Sequence, residues 1–309
     1  MAACVAFLLF VGYGFDRFYI GDGEFVFPIG TLTAFGVGSV SALTSYYSGD
    51  RAVLLSTGAV PFDRALSAGA TEDETLKLRQ LDNVVEEMSI AAGLPKPKVY
   101  VVPDPDPNAF ATGRDPEHAS IAVTRGLLDA VTRDELQGVV AHELSHVRNL
   151  DIRLMTVIAA MVGAIALLSD WTSRGLRHGS SGSGNRRGRS RDKGGAAIVL
   201  LVIWIVAILL APLIGQMLAM MVSRRREYLA DASGAELTRN PLALASALEK
   251  IEQAHAPTAS VKRGTAHLCI ADPLGKALGL REGWVPDVLA SHPPMANRIT
   301  ALRQMGFQE

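Results

Sequence analysis

His142-Glu143-Leu144-Ser145-His146 gathers two imidazoles and a carboxylate into five residues. On a helix the histidines lie one turn apart on one face, and Glu143 projects beside them. Imidazoles at that spacing can hold a zinc ion, and the adjacent carboxylate can take a proton from a water that the metal activates. The chemistry implied is metal-assisted hydrolysis by direct attack of water. The competing reading is a pair of histidines exposed by accident on a solvated helix.

The neighbouring residues predict the helix that this chemistry needs. Thr132 and Glu135 form a capping box, so the helix begins at Arg133. From Asp134 to Leu150 the apolar residues Leu136, Val139, Val140, Leu144 and Val147 recur at a helical period.

A catalytic zinc takes three protein ligands and keeps one position open, so a further donor is required. His118 falls in a turn, His178 in a Gly/Ser/Arg-rich stretch, and His255 and His267 in polar surroundings, which makes each a surface residue. Among the carboxylates, Glu227 opens a helix of small and apolar residues, with Asp231 one turn later on the same face. At this level a surface ion pair between Glu227 and the preceding arginines explains it equally well.

Around these residues the pattern predicts an amphipathic helix from Glu72 to Ala92, with Leu76, Leu81, Val84, Val85 and Met88 on one side and Gly93 and Pro95 ending it. Three short strands follow, Lys98 to Val102, Asn108 to Thr112 and Ser120 to Thr124. Another helix starts at Asn240-Pro241 and runs through Ile251, and a terminal helix packs through Ile299, Leu302 and Met305. The fold class expected is mainly α with a small β-sheet, an α+β arrangement.

Composition adds a second theme. The 309 residues are 49% hydrophobic and only 20% charged, with a mean hydropathy of +0.22, which is high for a soluble enzyme. The excess sits in runs. Ala196 to Met221 carries 26 residues without a charge, longer than the roughly 20 that cross a bilayer core. Ile152 to Ser169 holds only Arg153, Phe25 to Tyr47 is uncharged but rich in Gly, Ser and Thr, and Ala2 to Phe15 is a shorter apolar run. No basic residue precedes that first run, so it reads as a short membrane helix rather than a signal peptide.

The layout expected is therefore membrane segments over 1–49, a first catalytic part over 50–151, two membrane helices over 152–222 and a second catalytic part over 223–309. The basic, low-complexity stretch 172–195 between those helices is expected to be disordered. Its seven Lys and Arg would lie across the membrane from the catalytic segment if both helices span, against the positive-inside tendency; a hairpin that does not fully cross is the alternative. The net charge of −1 implies no nucleic-acid partner. Cys4 and Cys269 offer neither a disulfide framework nor a metal knuckle.

Four stretches together carry a resemblance: PNAFATG from Pro107 to Gly113, TRDELQGVVAHELSHVRNLD from Thr132 to Asp151, SRRREYLAD from Ser223 to Asp231, and SHPPMANRI from Ser291 to Ile299. In order and spacing the chain resembles the HtpX group of membrane zinc metalloproteases, gluzincins related to the CAAX prenyl proteases. The resemblance implies a zinc protease domain continuous with transmembrane helices. It makes His142, His146 and Glu227 the ligands of one zinc per chain, Glu143 the catalytic base and Asp231 a partner that orients a histidine. It implies that the stretch from Asn108 through Ala109 to Gly113 is an edge strand able to pair with a substrate backbone. His292 and Arg298 would stand near the cleft to stabilise an oxyanion or gate the metal; a helix cap and a packing charge are the alternatives for them.

The function expected is a membrane-embedded zinc endopeptidase of the bacterial cytoplasmic membrane, its active site facing the cytosol. Its partners would be polypeptide substrates and the lipid bilayer, with membrane-protein quality control implied by the resemblance. The rivals are a prenyl-protein protease, a zinc-binding adaptor without turnover and, least of all, a transporter, since the apolar runs carry almost no ionisable residue.

Overall fold

The computed structural model describes residues 29–68, 71–156, 224–254, 260, 268–270 and 293–306. By its internal contacts the chain divides into two units, 1–47 with 164–214 and 48–163 with 215–309. Of the first unit the described part is the start of helix α1, Ile29–Ser56, which exposes Leu32, Phe35, Val40, Leu43 and Tyr47. The helix runs past the boundary expected at residue 49. Among the described residues no helix is long and apolar enough to cross a membrane. The runs 2–15 and 196–221, most of 152–169 and the stretch 172–195 lie outside them.

The second unit is built on a four-stranded sheet of order β1-β2-β4-β3, where β1 is Val60–Pro61, β2 Lys98–Val102, β3 Ala109–Thr112 and β4 Ser120–Thr124. Strands β2 and β4 run parallel, and β1 and β3 flank them antiparallel. Alternation along the strands divides the apolar residues between two faces. Val99, Val101, Ala109, Ala111, Ile121 and Val123 enter the main core, while Val102, Phe110 and Ala122 meet Val53, Leu54, Met155, Leu268 and Cys269 on the other side. Both faces are covered, which is why β4 is buried along its whole length.

Short helices α2, Phe62–Ser67, and α4, Arg125–Ala130, connect the strands to longer ones. Helix α3, Glu72–Ala92, has a Thr71–Glu74 capping box at one end and Gly93 in the left-handed region at the other, φ 66°. Its buried face is Leu78, Leu81, Val84, Val85 and Met88. Leu76 is 62% exposed, contrary to expectation, because the apolar row that meets the core passes through Leu78 instead.

Helix α5, Arg133–Arg148, is the central element, packed against α3, β3 and the helices α6, Arg224–Thr238, and α7, Pro241–Gln253. Every residue from Gly138 to Val147 is buried. Gly138 makes this possible on one side: a Cβ there would lie 3.0 Å from Leu244 Cα. The closing helix α8, Met295–Gly306, buries Arg298, Ile299 and Leu302, whereas Met305 in its last turn is partly exposed and does not pack as expected.

The N-terminus of α5 is fixed by one carboxylate with several partners. Glu135 accepts from the Thr132 N–H at 2.7 Å, from the Ser246 hydroxyl at 2.6 Å and from Lys250 Nζ at 2.7 Å, so the capping box also ties α5 to α7. Burial works to raise its pKa, but Lys250, Ser246 and the Thr132 N–H outweigh burial and hold it below the ordinary 4.5. A depressed folded value means stability present above the unfolded pKa and lost as pH falls through the folded one. Glu135→Ala should cost about 1–2 kcal/mol at neutral pH, and urea unfolding should show the gap to wild type shrinking below about pH 4. A gap unchanged between neutral and acid pH would contradict this account.

Candidate metal centre

His142 and His146 stand one turn apart on α5 with their Nε2 atoms 3.3 Å from each other and their rings nearly perpendicular, at 87°. Glu227, in the first turn of α6, brings Oε1 to 3.7 Å from His146 Nε2 and Oε2 to 3.9 Å from His142 Nε2. All three side chains are buried, and one donor atom of each lies within 4.8 Å of the others. Two nitrogens bound tetrahedrally to zinc at about 2.0–2.1 Å would be separated by about 3.3 Å. The imidazole pair already has that spacing, and the two carboxylate oxygens stand farther out, each nearest a different histidine.

The close approach of α6 depends on Gly234. A Cβ at this position would meet His142 N at 3.1 Å, so a larger residue would push the Glu227 helix away from the histidines.

Further charged groups surround the three donors. Asp231 Oδ1 is 2.9 Å from His142 Nδ1, a short contact though not a straight hydrogen bond in this ring orientation. Arg298, with no exposed surface, donates from Nε and Nη2 to the two oxygens of Asp231 at 2.8 and 2.7 Å and from Nη1 to Ile270 O at 3.0 Å. Its Nη1 is also 3.3 Å from Glu227 Oε2. Burial would raise the Asp231 carboxyl, yet the Arg298 charge and hydrogen bonds prevail and hold it at about 2. On the other side of the site, His146 Nδ1 is 3.2 Å from Asp151 Oδ2, and Arg226 Nη1 donates to Asp151 Oδ1 at 2.8 Å. Glu143 is buried beside both histidines; burial pushes its carboxyl up, and the Ala111 N–H of β3 donates to it.

The charges sum in a telling way. Glu143, Asp151, Glu227 and Asp231 are buried carboxylates, and among the described residues the guanidiniums against them are Arg226 and Arg298. With all four carboxylates ionised and both imidazoles neutral the cluster would carry two surplus negative charges, which a divalent cation would balance; burial on its own pushes Glu143 toward its protonated form.

Several expectations change in detail. Strand β3 begins at Ala109, and Asn108 is turned inward: its Oδ1 accepts from the Ala109 N–H, and its backbone pairs with Thr124. The strand is at the sheet edge, but its outward groups are largely engaged. Ala109 O accepts from Ile270 N at 2.9 Å, Phe110 bridges Cys269, Ala111 N–H serves Glu143, and Gly113 N–H donates to the Thr156 hydroxyl at 3.0 Å. Arg298 stands directly against the three donors, with Nη1 3.3 Å from Glu227 Oε2 and Nη2 3.5 Å from His142 Nε2, while it also donates to Asp231 and Ile270. His292 lies outside the described residues, as do His178, His255 and His267; His118 is exposed and pairs with Asp115.

The motif helix does not continue into the segment from Ile152. It stops at Arg148, Leu150 takes a left-handed φ of 59°, and helical conformation resumes at 151–156. That break returns Asp151 toward His146. Asp151, Arg226 and the Ala111 N–H were not singled out from sequence. The one available signal was a carboxylate just beyond a helix C-terminus, where the dipole disfavours it.

Known proteins resemble this chain in sequence and in fold. The profile of Peptidase family M48 matches residues 75–306. The chain belongs to peptidase family M48. It is 45% identical over 262 residues to a protein named Protease HtpX homolog from Caldanaerobacter subterraneus subsp. tengcongensis, covering 84% of this chain and 80% of that one. It is 40% identical over 306 residues to a protein of the same name from Tropheryma whipplei strain Twist, covering 99% of this chain and 92% of the relative. The crystal structure of S. mikatae Ste24p superposes with a TM-score of 0.51 at 19% identity, over 97% of this chain and 63% of that longer one, which shows a shared fold.

In this M48 chain the Asp231–Arg298 pair is fully buried, so removing one partner strands the other. Arg298→Met should cost about 3–5 kcal/mol, and Asp231→Asn combined with Arg298→Met should recover part of that loss. Equal destabilisation by the single and double variants in chemical unfolding would show that the pair is not the reason.

Proposed function

We propose that this M48 peptidase is a zinc-dependent endopeptidase held at the bacterial cytoplasmic membrane. On this reading its active site faces the cytosol and acts on polypeptides near the bilayer, including misfolded membrane proteins. The observation that carries the zinc reading is the 3.3 Å imidazole pair closed by Glu227, with Glu143 buried at the same point. Two nitrogens and one carboxylate oxygen form the donor set of a catalytic zinc, which leaves a position open; a structural zinc would fill all four with protein atoms. The membrane reading is supported by the uncharged 196–221 run, which precedes Glu227 directly in the chain.

When bound between His142, His146 and Glu227, zinc would polarise the scissile carbonyl and acidify a water beside it. Glu143 accepts the proton of the attacking water and passes it to the leaving amine nitrogen. Burial raises the affinity of its carboxylate for that proton, and the Ala111 N–H fixes its orientation. An extended substrate pairing along β3 would have to displace the contacts that Ala109 makes with Ile270 and Gly113 makes with Thr156.

The test uses the full chain purified in detergent. Wild type should contain one zinc per chain and cleave casein, and a chelator should abolish cleavage. Glu143→Gln should keep the zinc and lose cleavage by about a hundredfold or more, whereas His142→Ala and Glu227→Ala should lose the zinc itself. Cleavage that survives complete removal of metal would overturn the proposal.

A further inference from the structure

Each of the two histidines is backed by an aspartate, and each aspartate by an arginine. On one side the sequence His142, Asp231, Arg298 is wholly buried; on the other, His146 Nδ1 meets Asp151 Oδ2 at 3.2 Å and Arg226 Nη1 meets Asp151 Oδ1 at 2.8 Å. Asp151 is 4% exposed and reaches His146 because the chain turns at Leu150. A carboxylate that accepts the Nδ1 proton fixes the tautomer whose Nε2 lone pair points at the metal. Arg226 is the residue immediately before Glu227, so its bond to Asp151 spans from the end of α5 to the first turn of α6.

We propose that Asp151, held by Arg226, is a positioning residue that orients His146 and sets the approach of Glu227, so that the two metal-bearing helices are fastened to each other at the point where both enter the site. The two aspartates divide the work. Asp231 lies against His142 with a guanidinium sealed in the core behind it, and Asp151 holds His146 with one behind it that is about a third exposed, with a side-chain exposure of 37%. The outer fastening is therefore the one that substitution can loosen without opening the core. The inference rests on the zinc reading above.

The experiment compares wild type, Asp151→Ala, Asp151→Asn, Arg226→Gln and Arg226→Lys as full chains in detergent. It reads zinc release to a chelator, the visible absorption of the cobalt-substituted site, and unfolding of zinc-loaded and metal-free protein. Asp151→Ala should release zinc about 10- to 100-fold faster, Asp151→Asn and Arg226→Gln less so, and Arg226→Lys should restore release close to wild type. Cobalt absorption should change in Asp151→Ala, and the stabilisation that zinc adds over the metal-free protein should shrink. A purely structural role would lower both unfolding curves equally and leave that difference, the release rate and the spectrum unmoved, which would overturn the inference alone. A wild type that takes up no zinc would overturn the proposed function together with it.

Discussion

Four carboxylates buried around a pair of facing imidazoles, with two guanidiniums against them, are the constraint from which the rest of this structure follows. Carboxylates taken out of water without compensation cost several kcal/mol each, and here four of them crowd the end of one helix. Arg298 and Arg226 offset two. A divalent cation between His142, His146 and Glu227 would offset the remaining charge, and on the proposed reading folding of this region and metal uptake would be coupled.

The architecture holds that charge where it is needed. From Gly138 to Val147 helix α5 is buried by the sheet, α3, α6 and α7, which strengthens each polar contact around it. Small residues set the distances: Gly138 admits Leu244, and Gly234 admits the backbone of His142. Strand β3 contributes more than a sheet edge. Its Ala111 N–H holds Glu143, and its Ala109 carbonyl holds Ile270, whose own carbonyl receives Arg298. Glu143, the edge strand and the Arg298 guanidinium are thus parts of one hydrogen-bonded assembly.

Local features of this assembly were legible in the sequence. The Thr132–Glu135 box and the apolar period place the motif helix to the residue at its start, and the β-branched runs give β2 and β4 their observed bounds. Glu227 and Asp231 were legible as a pair on one face, but only the fold brings them to the histidines. The features without a local sign depend on tertiary contact or on an unmarked backbone turn. Leu150 adopts a left-handed φ with no glycine to announce it, so the return of Asp151 to His146 had no local sign. Leu76 and Met305 fit the helical period yet face outward, because period alone does not say which of two neighbouring rows meets the core. Asn108 was placed in the strand, whereas its side chain spends its acceptor on the Ala109 N–H.

X-ray absorption at the zinc edge, on the full chain purified with its native metal, tests the central claim most directly. The account predicts one zinc with two imidazole nitrogens at about 2.0–2.1 Å and a carboxylate oxygen at about 2.0–2.2 Å, and little bound zinc in Glu227→Ala. A zinc environment with fewer than two imidazoles, or one indifferent to Glu227, would contradict it.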